Sequence, residues 1–315
     1  MKRKKRIMSM SSSQIRVVDP VLTEVAQGYR QEEHVGSVLF PRVSVQTSGG
    51  QVLEFGKESF KLYQARRAPG SATKRVQFGY MGKSFALVQD ALEGQVPREY
   101  LRDAARVPGV DLGQRAVMGT LRALSLTLEY DQAKLATTAG NYDSNHKTAL
   151  TGTDKWSDAG SDPSGDINIG KESIRATVGI YPNTLLLSAQ AFSVLKEHPK
   201  VVDRFKYTSK DSVTPEMLAA LWDLQQVSVG KAVAFDDAGN DIDIWGNNAI
   251  LAYVPAVPSG VEDPSFGYTY TMQGHPLVEK PYYENNARSW IYPVTYERVP
   301  VLTGILSGYL IQNPA

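Results

Sequence analysis

The chain contains no cysteine among its 315 residues, so disulfide bonds, a thiolate nucleophile and cysteine-ligated zinc are excluded. Its four histidines, at positions 34, 146, 198 and 275, form no pair at metal-ligand spacing, and we predict no metal or cofactor site. No apolar run reaches the roughly 18–20 residues that a membrane span needs, so no membrane partner is expected. Residues 7–13 do not supply the apolar core of a signal peptide, which favours an intracellular origin.

The charges nearly cancel, with 34 basic and 33 acidic side chains. This balance argues against a body that grips nucleic acid over its whole surface. Five basic residues stand together at the start: Lys2, Arg3, Lys4, Lys5 and Arg6. The rest of the chain carries 29 basic and 33 acidic residues, a net charge of −4. The sequence therefore predicts a basic tip on a mildly acidic body, unless translation starts at Met8 or Met10.

Three local patterns resemble functional sites, but each lacks a residue or a spacing that the site requires. Residues 165–171 have the glycine and lysine spacing of a phosphate-binding loop, but Glu172 replaces the hydroxyl residue that ligates magnesium. The acidic run 236–243 lacks the ligand spacing of a calcium loop and is typical of a solvated turn. His198 lies at a predicted helix end without a partner in sequence. We therefore predict no catalytic residue and no enzymatic activity.

Periodicity divides the chain into distinct segments. A short helix is predicted near 20–28, followed by strands between 43 and 90 in which Ser48, Gly49 and Gly50 form a turn. Apolar residues at 117, 121, 124, 128 and 135 predict one long helix over 112–139. A polar segment, 141–166, precedes an alternating α/β region with helices near 167–178, 189–196 and 215–225 and strands near 184–187, 227–233 and 249–254. The aromatic and β-branched residues after Tyr268 predict strands that return to the sheet beside the long helix.

The region between 43 and 90 is a long two-stranded excursion with a polar tip around Pro69 and Gly70. Because an isolated hairpin is marginally stable in water, it needs another surface to lie on. Its basic side chains are candidates for contacts with another subunit; they are Lys57, Lys61, Arg66, Arg67, Lys74 and Arg75.

The order of these parts resembles the major capsid (coat) protein of tailed bacteriophages, a fold shared with encapsulins and the herpesvirus capsid floor. The similar phrases span nearly the whole chain: 156–158 (WSD), 161–163 (SDP), 181–188 (YPNTLLLS), 195–201 (LKEHPKV), 250–254 (ILAYV), 264–267 (PSFG) and 308–311 (GYLI). The resemblance implies an α+β fold with an N-terminal arm, an extended β-hairpin loop, a long spine helix, a peripheral domain and an axial domain.

On this resemblance, residues 1–40 are the N-terminal arm. Residues 41–92 are the extended loop, which lies across a neighbouring subunit. Residues 93–165 and 270–315 are the peripheral domain with its spine helix near 112–139, and 166–269 are the axial domain. The implied function is a self-assembling structural protein whose pentamers and hexamers form the icosahedral shell around phage double-stranded DNA. The implied partners are identical subunits, with scaffold, decoration and portal proteins as further ones. The implied location is the virion, after assembly in the host cytoplasm.

The basic tip, Lys2 to Arg6, is a candidate contact for packaged DNA or an acidic scaffold, and a solvated tail without contacts is an equal alternative. Some relatives join subunits covalently through a loop lysine and an asparagine; no motif here matches, so non-covalent contacts are predicted. Two other classes stay open. One is an encapsulin-type compartment, and the basic residues at the start of the chain argue against it. The other is an unrecognised enzyme, against which the absence of a clustered His, Asp and Ser set counts.

Overall fold

The computed structural model describes residues 18–29, 34–53, 66, 73, 82–104, 111–205, 212–235, 238–256 and 265–315. The chain divides into two compact units. The first unit comprises Met1–Gln31, Val88–Leu124 and Gln273–Glu297, and the second comprises Glu32–Leu87, Ser125–Met272 and Arg298–Ala315. Among the described residues, no helix combines the length and apolar character that a bilayer crossing requires.

The described helices are α1 Pro20–Gly28, α2 Gly36–Leu39, α3 Arg98–Ala104, α4 Leu112–Thr137, α5 Pro163–Val178, α6 Ala189–Glu197, α7 Pro199–Val202 and α8 Pro215–Leu221. The described strands are β1 Arg42–Val45, β2 Gly49–Leu53, β3 Gly82–Ala86, β4 Val88–Pro97, β5 Lys147–Ala149, β6 Thr184–Ser188, β7 Gln226–Gly230, β8 Val233–Phe235, β9 Asp241–Asp243, β10 Asn248–Ala252, β11 Gly267–Met272, β12 Leu277–Val278, β13 Tyr282–Glu284, β14 Ser289–Leu302 and β15 Gly308–Gln312. Two elements, α4 and β14, contribute residues to both units.

The first unit packs helices on one face of a small sheet. β4, β12 and β13 all pair with β14, and the first half of α4 lies over them. The predicted stripe supplies the contact, because Val117, Leu121 and Leu124 are buried against Val294 and Tyr296. Close approach of α4 to the strands also requires small residues: a Cβ added at Gly113 would lie 2.8 Å from the ring of Tyr292.

The second unit contains a five-stranded sheet in the order β5-β15-β10-β6-β7. β6 is buried along its whole length, and its alternate residues enter two different cores. Leu185 and Leu187 pack in the cluster that contains Ile167 and Ile174 of α5, and Leu186 packs in the cluster that contains Ala133 of α4. A strand covered on both faces reads as a continuous apolar run, as this one does.

Most helix predictions are confirmed. α1 has the predicted bounds, α4 ends at Thr137, and Ser188 caps α6 by accepting the Ala191 N–H at 3.2 Å. α5 begins at Pro163, four residues before the prediction, since proline at the first helical position needs no N–H partner. α8 ends at Leu221 rather than near residue 225, where the chain enters β7.

Two strand predictions are wrong. Gly49 and Gly50 lie inside β2 rather than in a turn. β1 pairs in parallel with β11, a partner that the sequence analysis did not predict. The strand predicted over 227–233 is two strands, because β7 ends at Gly230 and β8 begins at Val233. β15 pairs with β10 and β5 in the five-stranded sheet, and its Leu310 packs with Ala133 and Ala136 of α4. Its predicted return to a sheet beside the long helix is confirmed, although β14 belongs to a different sheet.

Candidate assembly surfaces

The extended loop starts from a two-stranded ribbon, as predicted. β2 and β3 pair antiparallel, with Gly49 opposite Ala86. At the base, the Leu87 N–H donates to the Ser48 carbonyl at 2.8 Å. The ring of Phe85 stacks on Tyr270 of β11 with centroids 4.5 Å apart and an interplanar angle of 16°. Stacked aromatic pairs add to the energy of apolar burial, so the base of the loop is fixed to the sheet of the second unit.

One of the predicted loop cations, Arg66, lies within the described residues, and it is exposed. The other loop cations, Lys57, Lys61, Arg67, Lys74 and Arg75, lie outside the described residues, as do Lys2, Arg3, Lys4, Lys5 and Arg6 of the basic tip. Their roles in contacts with other molecules therefore stay predictions.

The N-terminal arm is attached to the first unit through α1. Asp19 caps this helix by accepting the N–H groups of Val21 and Leu22, both at 3.0 Å. The hydroxyl of Thr23 donates to the carbonyl of Val278 at 3.3 Å and accepts its N–H at 3.1 Å. Two bonds to one residue of β12 fix the position of α1 along that strand.

A second stretch of the arm is held in the second unit by a buried carboxylate that the sequence analysis missed. Glu129 of α4 is only 1% exposed. It accepts the N–H groups of Val35 and Gly36, each at 2.9 Å, and the indole N–H of Trp245 at 2.8 Å. A buried carboxylate needs such donors to offset its lost hydration. The sequence does contain a signal for this site, because the polar residues Glu129 and Gln132 lie where the apolar stripe of α4 continues.

The second unit exposes apolar side chains on a ribbon formed by β8 and β9. Val233 is 49% and Phe235 74% exposed, and they lie opposite Asp243 and Asp241 respectively. Ala234, on the other face of the ribbon, packs against the buried cluster of the same unit. The acidic run 236–243 is therefore only partly the predicted turn, because its last three residues form β9. Residues 236 and 237 lie outside the described part. Val233 and Phe235 are therefore candidates for contact with another protein.

The near-motifs for catalysis do not form sites. Residues 165–171 lie inside α5, and from Asp166 onward their backbone N–H groups are used within the helix instead of forming a loop. His198 is 2% exposed between α6 and α7, with its Nε2 atom 3.2 Å from both the Ser161 hydroxyl and the Asp158 carbonyl. Among the described residues, no group of three His, Asp or Glu side chains is arranged to hold a metal ion.

His146 is also structural. It is 1% exposed, and its Nδ1 atom lies 2.7 Å from the carboxylate of Asp143. Desolvation opposes the charged form of Asp143, but the hydrogen bond and charge of His146 outweigh it, so the pKa of this carboxyl is lowered. The pair fixes the turn that follows α4.

Comparison with known proteins assigns this arrangement of arm, loop, long helix and α/β sheet to viral shells. Residues 117–284 match the family model described as phage major capsid protein E. A curated major capsid protein of Burkholderia phage BcepMu is 37% identical over 305 residues, covering 96% of this chain and 98% of the relative. A solved structure of a phage-related protein from Bordetella bronchiseptica RB50 is 47% identical, covers 96% of this chain and 98% of that one, and superimposes with a TM-score of 0.82.

The fold extends to more distant shells. The SrpI encapsulin of Synechococcus elongatus superimposes with a TM-score of 0.56 at 11% identity, over 90% of this chain and 88% of that one. This likeness shows the fold alone. The family model and the curated relative decide between the two shell classes, and they favour the phage capsid over the encapsulin alternative.

The chain belongs to the phage major capsid protein family. It is a structural protein of the capsid shell, which is built from many copies of the same chain, and hence a component of the virion.

Proposed function

We propose that this chain assembles into pentamers and hexamers that close into an icosahedral shell around phage double-stranded DNA. The observation that carries the proposal is the exposed apolar ribbon of β8 and β9, which a single copy leaves uncovered. Contacts between unlike patches on neighbouring copies generate closed rings, and burial spread over many copies makes the shell more stable than a subunit. Assembly takes place in the host cytoplasm, with scaffold, decoration and portal proteins as further partners.

In this proposal the segments have the roles that the resemblance implies. Residues 1–40 act as the arm, 93–165 and 270–315 as the peripheral domain, and 166–269 as the axial domain around the ring centres. The extended loop, 41–92, reaches onto the neighbouring copy, where Lys57, Lys61, Arg66, Arg67, Lys74 and Arg75 meet acidic groups without a covalent link. Reversing the charge of Lys57, Lys61, Arg66 and Arg67 is expected to abolish particle formation; unchanged particles would refute this role.

The basic tip, Lys2 to Arg6, is proposed to contact packaged DNA or an acidic scaffold. Because phosphate contacts release counterions, such binding weakens steeply as salt rises. Deleting residues 2–6 is expected to reduce the salt dependence of particle stability and of DNA retention. Identical assembly and salt response in the deletion variant would assign the tip to solvent.

We also propose that the chain has no enzymatic activity. The buried His198 and Ser161 pair supports this, since substrate has no access to side chains that are 2% and 7% exposed.

Electron microscopy of the purified full-length chain tests the shell directly. Closed icosahedral particles with pentameric and hexameric capsomers are expected. Particles purified from infected or induced cells should absorb strongly at 260 nm and release DNA when disrupted. A chain that stays monomeric and protease-resistant at high concentration, with the loop protected within one copy, would overturn the proposal.

A further inference from the structure

The first unit has two outer faces of opposite charge. On β14, Tyr292, Val294 and Tyr296 point toward α4, so the intervening residues line the other face of the sheet. The centre of that second face is buried at Ile291 and Thr295, and four carboxylates lie beside it. They define what is here called the acidic face: Glu93, Glu279, Glu284 and Glu297.

Register and contacts establish the acidic face. Tyr282 and Glu284 lie opposite Ile291 and Ser289 of β14, and the Tyr282 hydroxyl donates to Glu93 at 3.2 Å. Desolvation and then the nearby carboxylates, Glu93 first, raise the pKa of Tyr282. Within the described part of the chain, none of the four carboxylates forms an ion pair with a lysine or arginine.

The opposite outer face, on α4, is basic. A shallow cavity of about 460 Å³ lies there, here called the helix groove. The described residues that line it are Asp111, Gln114, Arg115, Met118, Gly119 and Arg122. Arg115, Met118 and Arg122 are exposed at spacings of three and four residues, so they form one stripe opposite the buried Val117 and Leu121. Arg115 and Arg122 are seven residues apart, about 10 Å along the helix axis.

Both arginines of the helix groove are available to an anion. Among the described residues, neither guanidinium has a hydrogen-bond or ion-pair partner. The one carboxylate in the groove, Asp111, accepts the N–H groups of Gly113 and Gln114, at 2.8 and 3.0 Å, as the cap of α4. Its oxygen is directed to the helix end rather than to either arginine.

Gly119 is a second sign of a partner. Glycine is less favourable than alanine inside a helix, and it is usually kept there for close packing. At Gly119, however, an added Cβ would meet nothing within 4 Å. The missing side chain leaves a saddle between the two arginines into which another molecule can approach the helix backbone.

We infer that the helix groove binds the phosphate backbone of double-stranded DNA through Arg115 and Arg122, and that this face of the first unit is the inner surface of the shell. The inference rests on the proposed function, which places DNA against one side of the wall. DNA is repelled by the acidic face and attracted to the helix groove, so charge alone decides which side it meets. The contact is independent of sequence, because it uses phosphates rather than base edges.

The test compares DNA binding of full-length wild type and Arg115→Gln/Arg122→Gln, kept below the concentration at which particles form. The probe is a fluorescent DNA duplex of random sequence, titrated between low and moderate salt. Each lost phosphate contact reduces the slope of log affinity against log salt by about 0.9, so the double variant is expected to lose about 1.8. An unchanged slope overturns the inference.

Arg98→Gln/Arg102→Gln is the matched control, with the same charge change in the same unit. Those guanidinium groups are already paired with Glu99 at 3.0 Å and Asp103 at 3.2 Å, so a smaller change of slope is expected. An equal change of slope in both double variants would show that the effect depends on net charge alone, and it would overturn the assignment of DNA binding to the helix groove.

Gly119→Glu gives an independent check, since it places a carboxylate between the arginines and suits a helix better than glycine does. This variant is expected to lose DNA affinity while its thermal stability stays the same, and an unchanged affinity would count against the groove. In a competition experiment on the wild type, an acidic peptide is added to the DNA complex. Complete displacement of the DNA by an equimolar amount of peptide would also count against the groove. The two proposals fail in different ways. If the groove variants bind DNA normally but still form particles under the electron microscope, the groove inference fails and the shell proposal stands.

Discussion

The carboxylate of Glu129 accepts the indole N–H of Trp245 at 2.8 Å, across 116 residues of sequence. Both side chains are 1% exposed. The same carboxylate receives the backbone N–H groups at the start of α2, so one side chain of the spine helix orients both the arm and the segment before β10.

Replacing Glu129 tests this junction. Glu129→Ala leaves the three donors buried without an acceptor and is expected to lower the free energy of unfolding by about 3–5 kcal/mol. Glu129→Gln keeps one acceptor oxygen, and a smaller loss of about 1–2 kcal/mol is expected. Urea unfolding of dissociated subunits measures both. Lys134→Ala, exposed on the same helix, is the control, and equal losses in all three variants would contradict the role of Glu129.

Gly36 is expected to be intolerant of any side chain. A Cβ there would lie 2.1 Å from Oε1 of Gln132 and 2.8 Å from Oε2 of Glu129. Gln132 donates to the hydroxyl of Thr269 at 2.8 Å, so it has little freedom to move. Gly36→Ala should lower the free energy of unfolding by about 1–3 kcal/mol, as overpacking does. Gly28→Ala, where a Cβ meets nothing within 4 Å, is expected to be near neutral in the same thermal unfolding series.

Asp166 and Asp143 predict opposite pH effects in the second unit. Desolvation raises the pKa of Asp166 despite the N–H of Trp156, which it accepts at 2.8 Å, and nearby Asp162 and Asp154 add to the shift. A raised carboxyl pKa means that the folded state holds the proton more tightly, so stability falls as pH rises through that pKa. Asp166→Asn is therefore expected to unfold at a higher temperature than wild type at neutral pH, with the advantage shrinking toward pH 3.

For Asp143 the sign is reversed. Its lowered pKa contributes stability that is present above the pKa of the unfolded carboxyl and is lost as pH falls through the folded value. Asp143→Asn should unfold at a lower temperature than wild type near neutrality and converge with it in acid. Melting curves from pH 3 to 7 test both variants, and shifts of the same sign would refute the assignment.

The exposed ribbon of β8 and β9 predicts a separation of folding from assembly. Phe235 is 74% exposed, so Phe235→Ser is expected to change the free energy of unfolding by no more than about 0.5 kcal/mol. The yield of closed particles, counted by electron microscopy, should fall strongly, and Phe235→Leu should restore most of it. Full assembly of Phe235→Ser would exclude the ribbon from the contacts between copies.

Local signals allowed the helices to be predicted. The apolar spacing of Val117, Leu121 and Leu124 located α4, and Ser188 before an apolar run located α6, because both features depend on residues within two turns of each other. The pairing of β1 with β11 had no such signal, since Arg42 and Thr269 meet only after the rest of the unit has folded. The same reason explains why the separation of β14 and β15 into two sheets was not predicted.

The candidate surfaces divide in the same way. Blocks of like charge in the loop and the tip are visible in the sequence, whereas the acidic face draws Glu93, Glu279 and Glu284 from separate segments. The sequence analysis did not single out Arg115 and Arg122, because their exposure and their lack of described partners depend on the positions of the neighbouring strands. Buried Glu129 gave only the weak signal of a charge beside an apolar stripe.

The pairing of the earliest described residues with the last third of the chain has a consequence for synthesis. Val18 bridges to Glu279, and β1 waits for β11. A nascent chain on the ribosome lacks these partners until Glu279 has emerged, and contacts so distant in sequence form slowly. Subunits therefore acquire their finished surfaces only after these late partners have been made, which delays premature association of half-made copies on one messenger RNA.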